Sequence, residues 1–166
     1  PAYAYRHKNY AKGNAMKKQW FLSFQFDNFG RGALKLREDS LVALSIPART
    51  GSLRDMQGKT VLINSMPAGI WRILDKPVDT TETACVRTEN EGWKVRLYTH
   101  QGQWTRFLIH PDGAKGGTEG CVGLQEDGLD LRARLTQILK IQTEIFLFAN
   151  VPSPDSEKAD EQKKTA

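Results

Sequence analysis

Apolar residues that recur at every second position, in short runs separated by clusters of turn formers, predict a mainly-β domain. A single late stretch with helical spacing completes the pattern. The expected fold is a barrel or sandwich of short antiparallel strands with one helix packed on one side.

The chain opens its pattern at Trp20, where Trp20, Leu22, Phe24 and Phe26 fall on one face of a strand. Asp27 to Gly32 is dense in turn formers, and Leu34 and Leu36 then alternate with charged residues, which predicts a first hairpin. Glu38-Asp39-Ser40 turns the chain into Leu41 to Ile46, and Pro47 is expected to stop pairing or mark an edge. Gly51 to Gly58 reads as a charged loop. Thr60 to Asn64 and Gly69 to Leu74 read as strand material around a Pro67 turn, and Pro77 to Thr83 as a polar loop. Trp93 to Tyr98 alternates apolar with basic residues, so Lys94 and Arg96 face away from the packed side. After the Thr99 to Gln103 turn, in which His100 is expected to be exposed, Trp104 to His110 forms the next strand. Leu129, Leu131, Leu135, Ile138 and Leu139 have helical spacing, with Asp127 or Asp130 near the helix start. Thr143 to Ala149 is a last strand, and Asn150 onward reads as a disordered tail.

With 166 residues, 39% apolar and 26% charged, the chain is sized for one globular domain. No apolar run approaches the ~18 to 20 residues of a membrane helix, and the start lacks the pattern of a signal peptide. The net charge of +5 would hint at nucleic acid, but it is local: Arg6, Lys8, Lys12, Lys17 and Lys18 lie in the first twenty residues without an acid. The remaining 19 basic residues meet 19 acids, so no nucleic-acid partner is expected. No pair of Cys, His or Asp residues has metal-ligand spacing, and no Gly-rich phosphate loop is present, so neither metal nor cofactor is expected. Two cysteines, Cys85 and Cys121, permit one disulfide, but a nucleophilic Cys121 would have to stay apart from Cys85.

The chemistry concentrates between Arg106 and Leu124. The strand ends on His110, a ten-residue segment from Pro111 to Gly120 holds four glycines, and Cys121 sits between Gly120 and Val122. A thiol is a useful nucleophile as thiolate, and histidine takes its proton near neutral pH. A Gly-rich loop that turns back would bring His110 and Cys121 together and leave the Gly120 and Cys121 N–H groups to face a developing oxyanion. By the same spacing, Cys121 could instead be a small buried hydrophobe and His110 a hydrogen-bonded strand end.

His110, Asp112 and Thr118-Glu119-Gly120-Cys121-Val122 resemble the histidine and Ser/Thr-x-Gly-Cys-apolar signature of L,D-transpeptidase (YkuD-like) catalytic domains. They are still more similar to the related type VI secretion amidase effectors, in which the histidine is followed by x-Asp. Ser65 to Ile73, with Pro67 and Gly69, is similar to the family's Pro-x-Gly strand entry, and Thr50-Gly51 to its Ser/Thr-Gly turn. The resemblance covers roughly Trp20 to Ala149. It implies a catalytic domain over 20–149; the charge and composition on either side give a basic N-terminal arm over 1–19, disordered or foreign to the domain, and a disordered tail over 150–166.

What the resemblance implies is a cysteine-dependent enzyme of peptidoglycan stem peptides working through a Cys121 acyl-enzyme. Its outcome would be L,D-carboxypeptidase or amidase cleavage, D-amino-acid exchange, or L,D-transpeptidation. Cys121, His110, the Gly120 backbone and Asp112 would be catalytic, and Thr118, Glu119 and Gly123 would bind substrate. A loop carbonyl serves as well as Asp112 to orient His110, and Thr118 is expected to brace the loop. Gly123 stands where many cross-linking members carry arginine, which favours cleavage or exchange. Stem peptides and a cognate immunity protein are the implied partners, and the periplasm or cell wall of bacteria the implied place. The alternative is a non-catalytic wall-binding or phage-structural β-domain.

Overall fold

A computed structural model describes residues 18–88, 92–113 and 118–154. The described part of the arm, Lys18 and Gln19, leads into β1 (Trp20–Phe26), which forms an antiparallel hairpin with β2 (Arg31–Glu38). β2 pairs in turn with β3 (Leu41–Met56), and β4 (Lys59–Ile63) folds back on the far half of β3. β5 (Gly69–Ile73), β7 (Gly92–Thr99) and β8 (Trp104–Pro111) lie side by side, and the short β6 (Val78–Thr80) pairs with β7. β9 (Thr118–Leu124), α1 (Leu129–Ile138) and β10 (Ile145–Ala149) complete the order.

The strands close on themselves in the order β2-β1-β10-β5-β7-β8-β9-β3, with β3 returning to β2. Closure leaves no open edge in that ring. Its interior is filled by alternate residues: Leu22 and Phe24, Leu34 and Leu36, Ile46, Trp71 and Ile73, Val95 and Leu97, Ile109, Val122 and Leu124, Ile145 and Leu147. Leu131, Leu135 and Ile138 of α1 join the same core. The alternation predicts this for β1, β2, β7 and β8, and the mainly-β barrel with one late helix is the fold observed.

Four local expectations are corrected. Gly51 to Gly58 is a hairpin arm and not a loop, formed by the end of β3 with β4. Pro47 does not end pairing: it stands opposite Ala33, and its carbonyl, which needs no N–H, accepts Gln125 N at 2.8 Å. The polar stretch after Pro77 contains β6. Asn150 is ordered rather than the start of a tail, since its amide bridges the Phe26 backbone (2.8 and 3.2 Å). Residues 1–17 and 155–166 of the expected arm and tail lie outside the described residues.

The helix begins at Gly128 in a left-handed conformation without a side-chain cap, so Asp127 does not cap it, and Asp130 occupies its first turn. Not every pairing is antiparallel. β1 with β10, and β8 with β9, run parallel. The second of these places the candidate chemistry, because the segment after Pro111 must carry the chain back before β9 can run alongside β8.

Candidate functional site

β8 and β9 pair as Ile109 with Val122, His110 with Gly123 and Pro111 with Leu124. Ile109, Val122 and Leu124 point into the core, so His110, Cys121 and Gly123 share the opposite face. Cys121 lies two residues before the partner of His110. The two are therefore diagonal neighbours, a separation of roughly 7–8 Å at the backbone in paired strands.

The turn that presents Cys121 is a bulge. β3 and β9 pair Arg49 with Gly123 and Gly51 with Thr118, so β9 spends five positions where β3 spends two. A bulge of this kind bends the strand and re-aims its side chains. Gly120 sits within it at φ 70°, and a Cβ there would meet the Phe107 ring at 2.3 Å. Both facts require glycine. The Gly120 N–H donates to Asn64 O at 2.7 Å, so this amide is committed and is not one of two free oxyanion donors, as the loop alone suggested. Asn64 also donates to Glu119 Oε1 at 3.2 Å, tying the exposed Glu119 to the end of β4. Thr118 is in β9 opposite Gly51.

His110 is 4% exposed. Its Nδ1 lies 2.7 Å from Pro111 O; a carbonyl only accepts, so Nδ1 carries the proton and Nε2 is left as the basic nitrogen. Of the two orienting partners considered from sequence, Asp112 or a loop carbonyl, the Pro111 carbonyl makes this bond. Burial pushes the imidazole below its ordinary range, against the opposing pull of Pro111 O and of the Asp112 and Glu82 charges. Burial likewise raises the Cys121 thiol, opposed by a Leu108 backbone hydrogen bond and by Arg96 and Arg106. At pH 7 both groups therefore rest uncharged, a neutral thiol and a neutral imidazole.

Asp112 is 3% exposed and has a different principal engagement. Its carboxylate is paired with Arg49 Nε from β3 and accepts Gln125 Nε2 at 3.2 Å. Its N–H donates to Leu124 O (2.8 Å), and its carbonyl accepts Arg87 Nη1 (3.3 Å). Asp112 thus binds β3, β9 and the 82–88 segment together at the end of β8. Arg49→Ala strands this buried carboxylate. We expect a loss of about 2 to 3 kcal/mol in urea unfolding, below the ~3–5 of a fully buried pair because Arg49 is 38% exposed and Gln125 remains. An unchanged midpoint would contradict this account of the pair.

A short 3-10 turn, Thr83–Cys85, packs against β8, and its Ala84 carbonyl accepts Gly113 N at 3.0 Å. Cys85 is 1% exposed, and burial with the Glu82 charge pushes its thiol up to about 11. Lys94 closes this side through Glu82 Oε1 at 2.5 Å. Both cysteines are free. Iodoacetamide at pH 7 should label Cys121 well before Cys85, and equal labelling, scored by peptide mass, would contradict the difference in burial. Sequence reasoning missed Arg49, Asn64, Glu82 and Gln125 as partners of the site: the first three are distant from it in sequence, and Gln125 meets Asp112 only because β9 pairs with β8.

A search of the solved structures finds, among its matches, the crystal structure of the L,D-transpeptidase (residues 123-326) from Xylanimonas cellulosilytica DSM 15894. It is 14% identical, with a TM-score of 0.44, over 84% of this chain and 64% of that one. The chain therefore spans just under two thirds of that neighbour's length. A scan against protein-family models and a search of curated proteins gave no match. No helix among the described residues is long and apolar enough to cross a membrane.

Proposed function

We propose that this chain is a cysteine-dependent enzyme of peptidoglycan stem peptides that works through a Cys121 acyl-enzyme. The observation that carries the reading is the parallel β8–β9 register, which sets His110 and Cys121 on one face with Nδ1 tied to Pro111 O. The motif resemblance supplies the substrate class.

On this reading Cys121 Sγ attacks a peptide carbonyl while His110 Nε2 takes the thiol proton. The Cys121 N–H, and not that of Gly120, faces the tetrahedral oxyanion. The C–N bond then breaks and His110 returns the proton to the leaving amine, leaving a thioester on Cys121. Water, activated by His110, hydrolyses the thioester to a carboxylic acid and restores the thiol; an amine in place of water gives exchange. Asp112 is a positioning residue that fixes the end of β8 through Arg49. Glu119 and Gly123 border the thiol on the substrate side, and Thr118 stands at the start of β9, opposite Gly51. Gly123 offers no side chain to fix an acceptor strand, which favours cleavage or exchange over cross-linking. Such an enzyme would act in the periplasm or cell wall, and a cognate immunity protein fits an effector role.

Incubation with purified muropeptides, followed by mass analysis, tests this directly. Loss or replacement of a stem residue is the expected result. Unchanged muropeptides would leave the chain as a non-catalytic wall-binding domain.

A further inference from the structure

Two cations that the Cys121–His110 chemistry does not use meet where β2 pairs with the middle of β3. Arg31, at the head of β2, stands directly across from Arg49, so two guanidinium groups leave the same face of neighbouring strands. Like charges placed that way repel. The acid nearest Arg31 in sequence, Asp27, spends its Oδ1 on the turn, accepting Phe29 N at 2.8 Å and Arg31 N at 3.0 Å. Asp112 takes Arg49 through Nε. Among the described residues, the Arg31 side chain and the Nη1 and Nη2 atoms of Arg49 make no hydrogen bond.

The two arginines line one cavity of about 250 Å³, whose other walls include Phe29, Gly51 and Leu53. Phe29 is 52% and Leu53 41% exposed, so a pair of cations opens onto an apolar wall. The volume falls just below the roughly 300–1,000 Å³ of sites for drug-sized ligands, which suits a small molecule with an anionic head.

We propose that this cavity binds a soluble phosphate monoester with a small aromatic or aliphatic body. The phosphate dianion bridges Arg31 and Arg49, and the body lies against Phe29 and Leu53. Two guanidinium groups match a dianion in charge, and each presents paired N–H donors to phosphate oxygens. A carboxylate brings one charge and relieves the repulsion less. The site does not depend on the stem-peptide reading, but Arg49 joins it to Asp112 and so to the end of β8.

Calorimetry on the full chain at pH 8, where a phosphate monoester is dianionic, compares phenyl phosphate, benzoate and phenol. Phenyl phosphate should bind at least about tenfold tighter than benzoate, and phenol should give no measurable heat. Arg31→Gln should weaken phenyl phosphate by roughly tenfold to a hundredfold, and should not lower the urea midpoint, because it also removes the repulsion from Arg49. Arg54→Gln removes the same charge from the exposed end of β3 outside the cavity, and should leave the affinity unchanged. No binding of phenyl phosphate, equal affinity for benzoate, or equal losses in the Arg31 and Arg54 variants would overturn the site. Sedimentation with phosphatidate vesicles without binding of phenyl phosphate would put the phosphate on a lipid headgroup and overturn the soluble ester.

Discussion

Cys121→Ala should cut turnover of muropeptides by at least about a thousandfold and leave the barrel intact. Among the described residues the acyl-enzyme route has no substitute thiol, since Cys85, within the 82–88 segment, is 1% exposed with its thiol pushed up to about 11. Structurally the change is small. Cys121 is half-buried at a bulge whose shape depends on Gly120, so the loss of one sulfur should cost no more than about 1 kcal/mol. Circular dichroism and the urea midpoint check the fold, and product masses check the rate. Wild-type product yields from the variant would end the proposal.

The second large effect falls on His110. His110→Asn keeps a donor near the Nδ1 position for Pro111 O but offers no basic nitrogen where Nε2 stands, so the fold should persist while the rate drops by about 10² to 10⁴. The pH profile separates a base from a merely structural group. Reaction needs neutral imidazole, and burial holds the folded pKa below the ordinary 6.5. Wild-type rate should therefore climb on an acid limb lying below pH 6.5 and level off above it. The variant should lose that limb, its residual rate rising instead toward the thiolate range above pH 9, where burial has moved Cys121. An acid limb unchanged in His110→Asn would assign the titration to another group.

What the sequence made legible follows from which faces are packed. β2 and β7 each bury one side in the barrel and leave the other more open, so their alternation reads directly; β1 alternates Leu22 and Phe24 into the barrel while Phe21, on its other face, is buried against Phe146 and Phe148. The far end of β3 has no such contrast: Leu53 and Met56 are both exposed, and Gly51 to Gly58 therefore looked like a loop. Pro47 misled because edge placement is the common use of proline in a sheet, whereas here its carbonyl receives Gln125 at the join with β9.

The site divides in the same way. His110 and Cys121 were visible because strand end, glycines and cysteine follow one another closely in sequence. The Arg49–Asp112 pair spans 63 residues, and the bond from Gly120 N to Asn64 O depends on where the β4 end meets the bulge. Neither has a local signal. The parallel direction of β8 and β9 was equally hidden, since strand alternation is the same in either direction. That direction is what makes His110 and Cys121 diagonal neighbours.

The account stands or falls on the covalent intermediate. Wild-type protein mixed with a stem tetrapeptide, quenched in acid within the first turnovers and digested, should show a thioester adduct on the peptide that contains Cys121. The adduct should carry the substrate mass less the departing residue, and His110→Asn should form it far more slowly. Product release without any adduct at Cys121, or an adduct located on Cys85, would contradict the mechanism.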